Sequence, residues 1–134
     1  LEDLARHLPF VRYSQRSLIG AQIESYLDGL GADIAKTLEF DGTDSVFAMV
    51  DAGLGWAITT PLCLIHGAGR DSGLVPFPLP GPPLSRDLYV LCREGEMAAL
   101  SERVRRRGRD ILADLVAGSL RHLAPWAEDE IKFA

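Results

Sequence analysis

Cysteine is scarce in this chain, with two in 134 residues. Cys63 and Cys92 both sit among apolar neighbours, which predicts buried, reduced thiols and no disulfide framework. The three histidines, His7, His66 and His122, are scattered and make no metal set with them. Cys63 and His66 are close in sequence, but no third ligand or orienting partner stands nearby. A membrane span needs roughly 20 apolar residues in a row, and no run approaches that, so no membrane partner is expected. Excess basic charge is also missing. The net charge of −5 argues against this chain gripping a nucleic-acid backbone by itself. No basic segment followed by an apolar one opens the chain, so no leader is read there. The first residue is Leu1 rather than Met, as expected of a piece of a longer protein. With 47% apolar and 25% charged residues, the composition is that of one ordinary globular domain.

Reactive constellations are lacking too. Ser14, Ser17, Ser45 and Ser72 have no strained-elbow pattern around them. Asp41 and Asp44 sit where a helix start favours negative charge, and Asp51 has no base or nucleophile beside it. Gly53-Leu54-Gly55 follows a predicted helix and precedes a predicted strand, the reverse of a dinucleotide fingerprint. No catalytic residue, no metal and no cofactor is expected. The dense basic run Arg103, Arg105, Arg106, Arg107 and Arg109 fans over one helix face if Val104 and Ile111 are inward, with Glu94, Glu96 and Glu102 partly neutralising it.

What is there is a close alternation of strands and helices. PFVRY at 9–13 reads as a short strand, Ser14 to Ser17 as a polar turn, and Ser17 as the cap of a helix to about Leu30. Ile19, Ile23, Leu27 and Leu30 line one face of that helix, and a strand follows from Ile34 to Phe40. The stretch FDGTDSVFAMVDAGLGWAITTP at 40–61 then holds a strand end, Thr43 as N-cap, a short helix, a glycine stop at Gly53 and a strand from Trp56 to Thr60. Pro61 suits a first helical position and predicts a helical turn to Ile65. A glycine-rich loop spans 66–73. Leu74 to Leu79 is extended and proline-rich, which confines it to an edge strand before a stiff connector reaching Leu84. Arg86 to Arg93 reads as a strand, Glu94-Gly95-Glu96 as a turn, and 96–123 as a long helix weakened near Gly118. The fold class is α/β with a mostly parallel sheet.

In such sheets ligands bind at the C-terminal ends of strands and at helix starts. Three polar groups fall there. Ser14, Gln15 and Ser17 follow the first strand; Gly42, Thr43 and Ser45 open the second helix; Thr59 and Thr60 end the third strand. Hydroxyls and free amide groups in that setting suit a small polar or anionic ligand. Capping by Ser17 and Thr43, and simple alternation at Thr59 and Thr60, account for the same residues equally well.

LPFVRYS at 8–14, the stretch at 40–61 and SRDLYVLCREGE at 85–96 carry a resemblance in order along the chain. Together they resemble the effector-binding domain of LysR-type transcriptional regulators, from about Leu8 to about Leu123. The resemblance implies one Rossmann-like lobe of a type 2 periplasmic-binding-protein-like fold, plus the return strand and C-terminal helix of the other lobe. It places the second lobe at 1–86, and the crossover strand, a helix packing on the first lobe and a tail at 87–134. It further implies a bacterial, cytoplasmic homo-oligomer, dimer or tetramer, that senses a small-molecule effector in the interlobe cleft. DNA would be met only through a helix-turn-helix domain outside this chain. The resemblance favours the loop at Ser14 and the helix start at Thr43 as the effector-facing groups. A solute-binding protein of a transporter shares the lobe design and is the alternative. An upstream secretion signal or lipid-anchor cysteine marks that case, and an upstream helix-turn-helix excludes it. An enzyme on the same lobe pair would need a reactive residue with a base, and none is found.

Overall fold

Three residues, Val11–Tyr13 (β1), form the centre of the sheet. The computed structural model describes residues 1–68, 72–93, 97–128 and 130–133. The expected turn at 94–96 and part of the loop at 66–73 lie outside them. The chain divides into two units, Leu1–Pro82 and Pro83–Ala134.

In the first unit α1 (Glu2–His7) precedes β1, and α2 (Leu18–Gly29), β2 (Leu38–Phe40), α3 (Thr43–Asp51) and α4 (Pro61–Gly67) follow it. Helix α1 was not among the expected elements. Its signal is Glu2 and Asp3 in the first turn and Arg6 and His7 in the last, charges that complement the helix dipole. β1 pairs in parallel with β2, with Val11 opposite Leu38 and Tyr13 opposite Phe40. On its other edge β1 accepts one more parallel bridge, from Phe10 to Trp56. There Val11 N donates to Trp56 O at 2.8 Å and Trp56 N to Pro9 O at 3.0 Å. The expected strand at 56–60 shrinks to that bridge. Beyond Trp56 the chain forms no further ladder with β1, and Thr59 meets Tyr13 through its side chain instead.

Burial concentrates around β1. Val11 and Tyr13 are buried with Val46 and Phe47 of α3, Ile58 and Leu64. Phe10 lies against Trp56 with ring centroids 4.6 Å apart. The helices can approach this closely because of glycine. A Cβ on Gly20 of α2 would lie 2.1 Å from Ser14 O, so only a bare backbone fits. Gly53, the expected helix stop, takes φ +72° just past α3.

Helix starts follow two patterns. Ser17 caps α2 as expected, its hydroxyl accepting from Gly20 N at 3.1 Å. Thr60 caps α4 ahead of Pro61, accepting from Cys63 N at 3.3 Å. Thr43 does not cap α3. Gly42 holds that place with no side-chain bond, and Thr43 is the first helical residue. Its hydroxyl donates instead to Cys63 Sγ at 3.9 Å.

The proline-rich stretch from Leu74 is not an edge strand, and its described residues form no ladder. It is held by Tyr26 of α2, whose hydroxyl donates to Pro80 O at 2.6 Å.

The second unit is helical. It contains α5 (Ala98–Leu115), a π turn (Val116–Leu120), α6 (Arg121–Leu123) and a 3₁₀ turn (Pro125–Ala127). The irregularity expected near Gly118 is that π turn. Val116, Leu120, Ala124 and Ala127 form its small core. Helix α5 buries no residue, and Leu100, Val104 and Ile111 are each about half exposed. The strand expected at 86–93 is not formed. Its apolar residues Leu88, Tyr89, Val90 and Leu91 are exposed, and among the described residues none pairs with it. Apolar alternation needs a partner strand before it becomes structure.

The caps are directly testable. Ser17→Ala and Thr60→Ala are each expected to cost about 1 kcal/mol of stability. Thr43→Ala is expected to cost less than about 0.5 kcal/mol, the range of substitutions away from such features. Urea unfolding of the three variants measures this, and equal losses at all three positions would return Thr43 to a capping role.

Candidate functional site

The parallel sense of β1, β2 and the Trp56 bridge puts the ends of three chain segments on one rim. Tyr13 and Ser14 end β1, Asp41 and Gly42 lead from β2 into α3, and Thr59 and Thr60 lead into α4. Short connections bring their side chains together.

One cluster gathers around Tyr13. Its hydroxyl lies 3.0 Å from Thr59 Oγ1. Thr43 donates to Cys63 Sγ, and Thr60 receives the backbone amide of the same cysteine. Burial pushes the Tyr13 hydroxyl's pKa up, against a smaller downward pull from its Thr59 hydrogen bond. The phenol therefore stays neutral at ordinary pH and can both donate and accept. Cys63 is half-buried inside this cluster, not sequestered in apolar packing, and Cys92 is exposed, so neither matches the expected fully buried thiol.

A second cluster ties the loop after β1 to the loop after β2. Arg16 reaches Asp41 with Nη2, at 3.2 Å and 3.3 Å from its two oxygens. Arg16 Nε also donates to Ser14 Oγ at 3.4 Å. Ser17 donates its hydroxyl to Ser14 O at 2.7 Å while capping α2. Gln15 extends the other way, its Nε2 donating to Glu24 Oε2 at 2.9 Å.

The eight residues singled out in the sequence thus separate. Thr43, Thr59 and Thr60 join the Tyr13 cluster. Ser14 and Ser17 join the Arg16 cluster, though Ser14 is 1% exposed and its hydroxyl is taken by Arg16. Gln15 is exposed and turned towards α2. Gly42 and Ser45 lie exposed at the α3 start without side-chain bonds to either group. Sequence reasoning missed Tyr13, Arg16 and the rim position of Cys63. The signal for Tyr13 was its place two residues after Val11, on the same face and at the strand's end.

Chemically the rim can hydrogen-bond. It offers hydroxyls, a thiol and one exposed ion pair. Among the described residues no three His, Cys, Asp or Glu side chains converge as metal ligands. No helix among the described residues is long and apolar enough to cross a membrane.

In open parallel α/β units ligands commonly bind at the C-terminal ends of the strands. The family model described as LysR substrate binding domain matches residues 1–111, and the chain belongs to that family. Comparison with curated proteins and with solved structures found no match in either. Membership gives the chain a ligand-sensing role in LysR-type regulators and a periplasmic-binding-protein-like fold.

Tyr13 sets an alkaline limit. Its folded pKa lies above the unfolded value of about 10, so the folded state keeps a proton that the unfolded state gives up. Stability is therefore unaffected below about pH 10 and falls as pH rises from there through the folded pKa. Thermal melts across that range are expected to show this fall in wild type and a shallower one in Tyr13→Phe. Parallel curves would assign the loss to other groups.

Proposed function

We propose that this chain is the part of a LysR-type regulator that binds a small anionic metabolite. The observation that supports this most is the rim: Tyr13, Thr43, Thr59 and Thr60 gather at the C-terminal ends of parallel segments in a chain of this family. In this reading residues 1–86 are the second lobe of the effector-binding domain. Residues 87–134 supply the crossover segment, the C-terminal helix that packs on the first lobe, and the tail. The exposed apolar residues at 88–91 and along α5 fit such a role, since each offers an apolar surface to a further part of the lobe pair. The effector sits in the cleft between lobes, against Thr43, Thr59, Gln15 and Ser45, with Ser14, Ser17, Gly42 and Thr60 shaping the loops that carry them. Binding makes and breaks no covalent bond. It closes the lobes and changes the arrangement of a cytoplasmic dimer or tetramer on DNA.

The test is a thermal-shift screen of small carboxylates on the regulator containing this domain, followed by calorimetric titration of the strongest. Thr43→Val and Thr59→Val are each expected to weaken binding by roughly 2- to 10-fold, the worth of one hydrogen bond. Unchanged affinity in both would remove the rim from the effector site.

DNA contact belongs to another domain in this reading. Arg105 and Arg106 are already engaged by Glu102, at 2.8 Å and 3.1 Å. The Arg105 hydrogen bond, foremost among these contacts, draws the Glu102 carboxyl down to about 2. Each phosphate contact adds roughly 0.9 to the slope of log affinity against log salt. Replacing Arg105, Arg106 and Arg107 together by Gln is expected to leave that slope unchanged in the intact regulator. Anisotropy titrations at several salt concentrations decide it, and a slope reduced by about two or more would place these arginines on DNA.

A further inference from the structure

An anionic effector at the rim needs a positive partner, because hydroxyls orient a charge without neutralising it. Across the three rim segments, residues 13–17, 41–45 and 59–63, Arg16 is the single cation, set against the carboxylates Asp41 and Asp44. Both loops of the rim hold it. Its backbone amide and its Nε each lie 3.4 Å from Ser14 Oγ, at the end of β1. Its Nη2 reaches Asp41, in the loop that leads into α3.

The pair that Arg16 makes is of an exchangeable kind. Arg12 and Glu24 are closed off from solvent together, whereas the side chains of Arg16 and Asp41 are 82% and 74% exposed. An ion pair so exposed favours its closed arrangement by no more than about fivefold. The contact uses one terminal nitrogen, and Nη1 takes no part in it. The two Asp41 oxygens stand almost equally far from Nη2, at 3.2 Å and 3.3 Å. A carboxylate from the chain itself thus occupies the place on Arg16 that a carboxylate in solution can take.

We infer that Arg16 recognises the charge of the effector, that the group it recognises is a carboxylate, and that Asp41 is its internal competitor. The inference rests on the rim being the effector site. In the unliganded chain Arg16 holds Asp41. The incoming carboxylate replaces Asp41 on Nη2 while Nε stays on Ser14 Oγ. Release of Asp41 frees the loop that runs through Gly42 to Thr43, so taking the charge also loosens the start of α3. A neutral ligand of the same shape cannot displace Asp41, and the competition therefore sets specificity as well as affinity.

The experiment titrates the full chain with acetate, and with acetamide as its neutral twin, at constant ionic strength. Backbone amide and arginine side-chain NMR signals give the dissociation constants. Saturable shifts are expected at Arg16 Nε and Gly42 with acetate, and acetamide is expected to bind about tenfold more weakly or not at all. Asp41→Asn is expected to tighten acetate binding about two- to fivefold, since Arg16 no longer has to be released. Arg16→Gln is expected to weaken it about tenfold. With Arg16→Gln in place, Asp41→Asn should change nothing, which isolates the exchange. Asp44→Asn removes the same charge three residues on and is expected to change affinity less than twofold. All three positions are exposed, so melting temperatures should stay close to wild type. Equal tightening by Asp44→Asn and Asp41→Asn would reduce the effect to general repulsion and overturn the exchange. Acetate binding that survives Arg16→Gln with rim shifts intact would overturn the role of Arg16 and leave the rim standing. No saturable acetate shift even in Asp41→Asn would also overturn the proposal, while the threonine variants judge the rim by themselves.

Discussion

The close passage of bare backbone over β1 is the constraint on which the first unit depends. Gly20 meets Ser14 O and Gly55 meets Pro9 O, each at a distance where any added carbon would collide. These two contacts let α2 and the Trp56 segment reach a strand only three residues long. So short a strand gives few ladder bonds, and its stability has to come from side chains buried on both faces. The rim follows from the same geometry. Because α2 begins immediately after the strand, Ser17 can bond back to Ser14 O while capping its helix. Because Trp56 lies beside Phe10, Thr59 arrives opposite Tyr13.

The sequence was most readable where local chemistry alone decides the outcome. Ser17 before an amphipathic run, Pro61 after Thr60, and Gly53 after a short apolar face each found their place, because a cap, a fixed φ or a positive φ is a property of a few neighbouring residues. Strands were less readable. Trp56 to Thr60 and Arg86 to Arg93 have sound apolar patterns, yet a strand exists only where a second strand meets it. Leu88 to Leu91 meet none among the described residues.

The candidate site was legible in outline and not in detail. Parallel order and short loops were enough to point to the strand ends, where the side chains of Thr43, Thr59 and Thr60 gather. What they touch was not visible, because that depends on distances across the sheet. Tyr13 read as one more apolar strand residue, and Arg16 as a turn residue, although each organises a cluster. Cys63 read as packing because its sequence neighbours are apolar, whereas its neighbours in space include two threonines. Thr43 shows the same limit from the other side. A threonine after Asp-Gly is a sound cap by local rules, and a thiol twenty residues away takes its hydroxyl instead.

Glu24 joins three separate parts of this unit. Arg12 from the strand, Lys36 from the loop before β2 and Gln15 from the rim all converge on its two oxygens. Three donors sharing one acceptor do not contribute independent energies, since removing one lets the carboxylate settle more closely on the others. Single substitutions around Glu24 will therefore understate the network, and pairs of substitutions will exceed the sum of their parts. These four positions are therefore coupled in energy although only Arg12 is deeply buried.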